Sequence, residues 1–177
     1  DIHTANQKLA GLESRNQAKT FIYALLYGAG DAKLGSVAGG SRQVGSRLRQ
    51  SFFDNLPSFK ALKDRVAREA TKGFVKGLDG RKVFVRSEHA ALNSLLQSAG
   101  SLVMKKAVII FNEKIKDLPA DFVMNVHDEW QLETEAMSAD TVGNLGVEAI
   151  IEAGLAFNLN CPLDGEYNVG SNWSETH

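Results

Sequence analysis

The chain reads as an α+β protein, with helices first and then antiparallel hairpins among long helices. Three observations point there. Apolar residues recur at helical spacing through about the first 72 residues. Asp79-Gly80 stands between two short β-prone runs, a hairpin signature. A second pair of β-prone runs straddles His127-Asp128-Glu129. This order argues against a parallel sheet built from βαβ units.

Taken in order, Asp1–Gly11 reads as a lead into a helix over about 13–28, which ends at the Gly28-Ala29-Gly30 break. Asp31 is expected to cap a short helix that stops at Gly39-Gly40, and Ser41 one that runs through Asn55. Pro57 suits the first position of a helix reaching about Lys72. Residues 74–76 and 82–85 form the first hairpin, and Glu88 to about Leu118 is helical until Pro119. Residues 121–134 form the second hairpin, Ser138 caps a helix to about Phe157, and Leu163–Val169 reads as a final strand. There is no repeat and no low-complexity segment.

With 177 residues and 44% hydrophobic content, the chain can build one domain or two small ones around a real core. Net charge is −1, but its distribution is uneven. Residues 1–86 carry 16 Lys/Arg against 7 Asp/Glu; residues 87–177 carry 4 against 14. A basic half is a footprint for a polyanion. The acidic half is either a metal-binding region or a solvated surface. The single cysteine, Cys161, cannot form an internal disulfide, so a reducing compartment is expected and the thiol reads as a small buried hydrophobe. No apolar run approaches the roughly 20 residues of a membrane span, and no signal peptide is visible. The chain opens on Asp1 rather than Met, so a piece of a longer polypeptide or a processed product is expected.

Three constellations carry chemistry. Arg15, Lys19, Tyr23 and Tyr27 lie four apart and form one slowly drifting helical stripe, two cations followed by two aromatics. A cation pair suits a polyphosphate, and an aromatic suits a base or sugar. An ordinary solvated helix face is the competing reading. Asn93 and Gln97, also four apart, place two amides on a small, apolar helix, where they reach either nucleic acid or a neighbouring helix. Arg81 and Arg86 precede that helix and read equally as surface arginines or phosphate contacts. His127-Asp128-Glu129 puts two carboxylates at the tip of an apolar strand, a desolvation cost unless a cation or donor answers them. Mg²⁺ would answer them; a polar turn without chemistry is the alternative.

The ordered set R-x3-K-x7-YG, N-x3-Q and VHDE resembles the family A DNA polymerases, the bacterial polymerase I and phage replicative enzymes. The likeness covers essentially the whole chain. DGRKVFVRS-x-HAALN-x-LLQSAG and the closing G-x-NW-x3-H resemble the phage branch in particular. Asn172-Trp173 and His177 imply that the natural C-terminus is present. The resemblance implies a fingers subdomain over 1–75 and the C-terminal part of a palm over 76–177. Arg15 and Lys19 would hold the triphosphate of the incoming deoxynucleotide, and Lys19 would neutralise or protonate the leaving pyrophosphate. Tyr23 would pack near the sugar. Many relatives have Phe there, and Tyr goes with tolerance of sugars lacking the 3′-hydroxyl. Tyr27 and Gly28 would sit by the template base; Arg86, Asn93 and Gln97 would touch the duplex or template. His127 would lie beside the primer terminus. Asp128 would bind catalytic Mg²⁺ in a two-metal phosphoryl transfer, with Glu129 nearby and less essential. Closure of the fingers helix on a correct base pair would be an induced-fit step.

The chain departs from the family pattern in one respect. No candidate exists for the second metal-binding aspartate, which lies upstream of the segment that Asp1-Ile2-His3-Thr4 resembles. The thumb, the exonuclease domain and the residue excluding ribonucleotides are missing too. The resemblance therefore implies a chain inactive alone, needing an N-terminal polymerase segment in cis or as a second chain, with primer-template DNA and dNTPs as its other partners. The cytoplasm of a bacterium or an infected host follows as the compartment, with no membrane partner. The readings that compete with a catalytic role are a nucleic-acid-binding remnant and a structural protein whose charged halves pair with another subunit.

Overall fold

A computed structural model describes residues 2–176; Asp1 and His177 lie outside the described residues. The chain is α+β, with eight α-helices among the described residues and two separate two-stranded antiparallel sheets. It divides between Ser98 and Ala99 into two compact units.

The first unit opens with α1 (Ile2–Ala10), a helix where the sequence suggested only a lead. Its evidence is tertiary. Ala10 and the following Leu12 are buried with Phe21 and Phe52, and the Asn55 amide donates to the Leu9 carbonyl at 3.1 Å. Next comes α2 (Arg15–Leu26), opened by a capping box in which the Ser14 hydroxyl accepts from the Gln17 N–H and the Gln17 side chain accepts from the Ser14 N–H. Helices α3 (Asp31–Val37) and α4 (Arg42–Asn55) meet at glycines. A Cβ on Gly45 would sit 2.0 Å from the Asp31 carbonyl oxygen, so no side chain fits between them. Asp31 does not cap α3. Gly30 takes that position, and the Asp31 carboxylate instead faces Arg49 Nε at 3.1 Å. Ser41 stands at the N-cap of α4, but its side chain makes no capping bond.

Pro57 begins α5 (Pro57–Ala70). The hairpin β1 (Phe74–Lys76) and β2 (Lys82–Phe84) then pairs Phe74 with Phe84, Val75 with Val83 and Lys76 with Lys82. Val75 and Val83 pack against Val66, Ala70 and Leu92, a second core.

Ser87 Oγ accepts from the Ala90 N–H and opens a 3₁₀ turn over Glu88–Ala90, which leads into α6 (Ala91–Ile115). Contrary to the sequence expectation, Glu88–Ile115 is long and apolar enough to cross a membrane, by length and composition only. Its stripe is nevertheless occupied: Ala91 and Leu92 lie in one core, and Val103, Ala107, Phe111 and Ile115 in others. The helix also stops at Ile115, short of Pro119.

In the second unit, β3 (Ala120–Val126) and β4 (Glu129–Thr134) form the expected hairpin, with Val126 opposite Glu129. The register shifts between Phe122 and Met124, so Val123 is an extra residue on β3. Beneath lies α7 (Ala139–Ala156), and a short α8 (Trp173–Thr176) follows. Phe111, 2% exposed, stacks on Trp130 at 5.2 Å and meets Phe122 edge-on at 5.4 Å.

Three expectations fail in this unit. Ser138 stands before α7, but its side chain makes no capping bond. Residues 163–169 form neither helix nor strand. They are held by side chains on α7 rather than by a ladder: Leu163 packs on Gly154, the Tyr167 ring lies on Gly143, and the Tyr167 hydroxyl donates to Asp140 at 3.3 Å. Cys161 is exposed rather than buried, in the bend between α7 and this stretch, with its Sγ 3.6 Å from the Pro162 carbonyl oxygen.

Candidate functional site

Helix α2 separates its residues cleanly by face. Ala18, Phe21 and Leu25 are buried, while Arg15, Lys19, Tyr23 and Tyr27 are all exposed. The cations sit in the first two turns, where the helix macrodipole is already positive, and the first turn holds no acidic residue. That arrangement runs against the usual preference for acidic side chains there and suits an anionic ligand. Tyr23 and Tyr27, 48% and 60% exposed, continue the stripe as aromatic surface.

Gly28 ends this helix with φ 78°, and a Cβ there would come within 2.4 Å of the His89 carbonyl oxygen. Glycine is required by both backbone conformation and close approach. Beyond it, Arg49 from α4 donates to the Ala29 carbonyl at 2.6 Å while facing Asp31. The sequence reading did not single out Arg49, because its partners are 18 and 20 residues away and carry no local signal.

Arg86 is exposed, Asn93 half-buried and Gln97 exposed, the last two one turn apart on α6. Arg81 forms an ion pair with Asp79 within the hairpin turn. Its nearest partner is therefore structural.

In the second unit, His127 and Asp128 form a two-residue turn and are exposed, while Glu129 is half-buried. The desolvation cost expected for both carboxylates therefore does not apply to Asp128, which meets solvent. Glu129 is answered by donors: Gln131 Nε2 at 2.6 Å and Trp173 Nε1 at 3.3 Å reach its Oε1. Gln131 and Trp173 were not foreseen. Trp173 comes from 44 residues away. His127 has φ 53°, a conformation that hairpin turns usually assign to glycine or asparagine and that costs about 1–2 kcal/mol for other residues. Strain of this kind gathers at functional sites.

Asp128 and Glu129 line a cavity of about 1150 Å³ together with Met124, Trp130, Tyr167 and Trp173. No cluster of three or more His, Cys, Asp or Glu able to hold a metal exists among the described residues. The donor set still fits Mg²⁺ as one part of a site. That ion takes oxygen ligands and is commonly held by one or two carboxylates plus phosphates and water.

The chain is thus an α+β protein with an exposed cationic and aromatic helix in its first unit and an acidic hairpin in its second. The fold resembles a solved structure, the POL domain of Pol1 from M. smegmatis in complex with DNA primer-template and dNTP. The TM-score is 0.79 over 86% of this chain and 31% of that one, at 23% identity, so this likeness speaks for the fold alone. The family model for DNA polymerase family A matches residues 1–175, and the chain belongs to that family. A DNA-directed DNA polymerase of Escherichia phage Phieco32 is 42% identical, over 100% of this chain and 30% of that protein. DNA polymerase I of Aquifex aeolicus is 32% identical, over 92% of this chain and 30% of that protein. The chain thus spans about 30% of the length of these relatives.

Proposed function

We propose that this chain is the fingers and C-terminal palm portion of a template-directed DNA polymerase, joining deoxynucleotides to a primer 3′-hydroxyl. The observation that carries the reading is the exposed run Arg15, Lys19, Tyr23 and Tyr27, whose cations crowd the positive end of α2. Residues 1–75 act as fingers and residues 76–177 as the palm part.

In this reading Arg15 and Lys19 grip the triphosphate, with Lys19 placed to neutralise or protonate the departing pyrophosphate. Tyr23 lies against the sugar. Tyr27 and Gly28 border the templating base, and Arg86, Asn93 and Gln97 contact template or duplex. His127 lies at the primer terminus. Asp128 is a Mg²⁺ ligand, while Glu129, held by Gln131 and Trp173, shapes the wall beside it. Bound Mg²⁺ would activate the primer oxygen and balance charge on the phosphates. The partners are primer-template DNA, dNTPs and an N-terminal polymerase segment that brings the second aspartate and the thumb.

Primer extension tests this. The chain alone should be inert with primed template, dNTPs and Mg²⁺, and a polymerase-length polypeptide containing it should extend. Asp128→Ala in that polypeptide should abolish extension while leaving DNA binding largely intact. Robust synthesis by the chain alone, or by the Asp128→Ala polymerase, would refute the assignment. Retained DNA binding with no synthesis by any completed form would mark a non-catalytic module.

A further inference from the structure

The hairpin β1–β2 has two faces, and only one is explained by packing. Val75 and Val83 point into the core. Phe74, Lys76, Lys82 and Phe84 share the other face, as the register requires. That face breaks two rules of sheet chemistry. Lys76 stands directly opposite Lys82, a like-charge pair that destabilises a ladder. Phe84 is 79% exposed beside Phe74, with the rings 6.4 Å apart and edge-on. Lys82 Nζ lies 4.6 Å from the Phe74 centroid, so cation and aromatic are already interleaved. Across residues 72–86 there are five cations and one acid, Asp79, which is paired to Arg81.

We propose that this face is a binding platform for single-stranded nucleic acid, separate from the nucleotide grip on α2 and the acidic hairpin. Bases stack on Phe84 and the exposed part of Phe74, and Lys76 and Lys82 take successive phosphates. Repulsion between the two lysines is relieved when a polyanion lies across them, and an open aromatic ring beside paired cations is the chemistry that holds a strand without reading its sequence. An acidic peptide would satisfy the lysines but would leave the ring without a stacking partner. The proposal goes beyond the polymerase reading and does not depend on catalysis.

The test is equilibrium binding of a fluorescent oligothymidylate to the full chain across a salt series. Phe84→Ala should weaken binding about five-fold or more, Phe84→Trp should retain it, and Phe84→Leu should weaken it as Ala does. The double variant Lys76→Gln/Lys82→Gln should flatten the slope of log affinity against log salt by about 1.4, at roughly 0.7 per phosphate. Phe84 is exposed, so its variants test the surface without disturbing the core. Wild-type binding by Phe84→Leu would overturn stacking. An unchanged salt slope would overturn the phosphate contacts. An oligoglutamate peptide that binds through these lysines, while oligothymidylate binding ignores them, would assign the face to a protein partner and overturn the proposal.

Discussion

The backbone of Gly28 lies so close to His89 that a Cβ would meet the His89 carbonyl oxygen at 2.4 Å. The end of α2 is thereby seated on the turn that leads into α6. Gly28→Ala should destabilise the chain by about 1–3 kcal/mol, the sum of positive-φ strain and displacement of a backbone group that cannot swing away. Urea unfolding checks this, with a lower midpoint and an unchanged m-value as the expected result.

The stripe on α2 makes a kinetic prediction. In a polymerase-length polypeptide, Lys19→Gln should lower kcat by roughly 100-fold, the usual loss when a donor aimed at developing charge is removed. Arg15→Gln should act more through KM for the deoxynucleotide. Steady-state kinetics on a primed template separate the two; equal effects on KM alone would place both residues outside the chemical step.

Arg49 ties α4 to α3 and to the segment before it, by donating to the Ala29 carbonyl while facing Asp31. Arg49→Ala should cost about 1–3 kcal/mol, because a partly buried carbonyl and carboxylate lose their partner. Arg49→Lys should not restore it, since one ammonium lacks the forked reach. Thermal unfolding of the three proteins provides the comparison.

Lys114 bridges to Glu152 and Glu148 at 2.9 and 3.0 Å, and these hydrogen bonds, Glu152 foremost, raise its pKa above the ordinary 10.5. The folded-state value exceeds the unfolded one, so the contribution is present in full below pH about 10.5 and lost as pH rises through the elevated value. Denaturant midpoints should therefore fall more steeply for the wild type than for Lys114→Met as pH rises above about 10.5.

Local signals carried much of this fold, and the misses share one cause. Asp79-Gly80 and Pro57 mark their elements because hairpin and helix-start chemistry act over one to three residues. The α2 stripe is legible for the same reason, since a four-residue spacing fixes a face. α1 was missed because its evidence is the contact with α2 and α4 and the Asn55 bond to Leu9, distant in sequence. Residues 163–169 are β-prone by composition, yet Tyr167 and Leu163 spend their side chains on α7. At the acidic hairpin, sequence identified His127, Asp128 and Glu129 but not how they are held. Trp173 reaches Glu129 over a long separation, and nothing in the dipeptide His127-Asp128 announces a positive φ.

Val123 has an effect out of proportion to its own contacts. It is the one unmatched residue of β3, so even-numbered residues of β3 face even-numbered residues of β4 before it (Phe122 with Leu132) and odd-numbered ones after it (Met124 with Gln131). Excising it would let Phe122 and Met124 become neighbours in an even ladder. Met124 and everything beyond it, up to the tip at Asp128, would then change face relative to Phe122. A single aliphatic residue near mid-strand, itself bare to solvent, thus sets which face the acidic tip presents five residues further on.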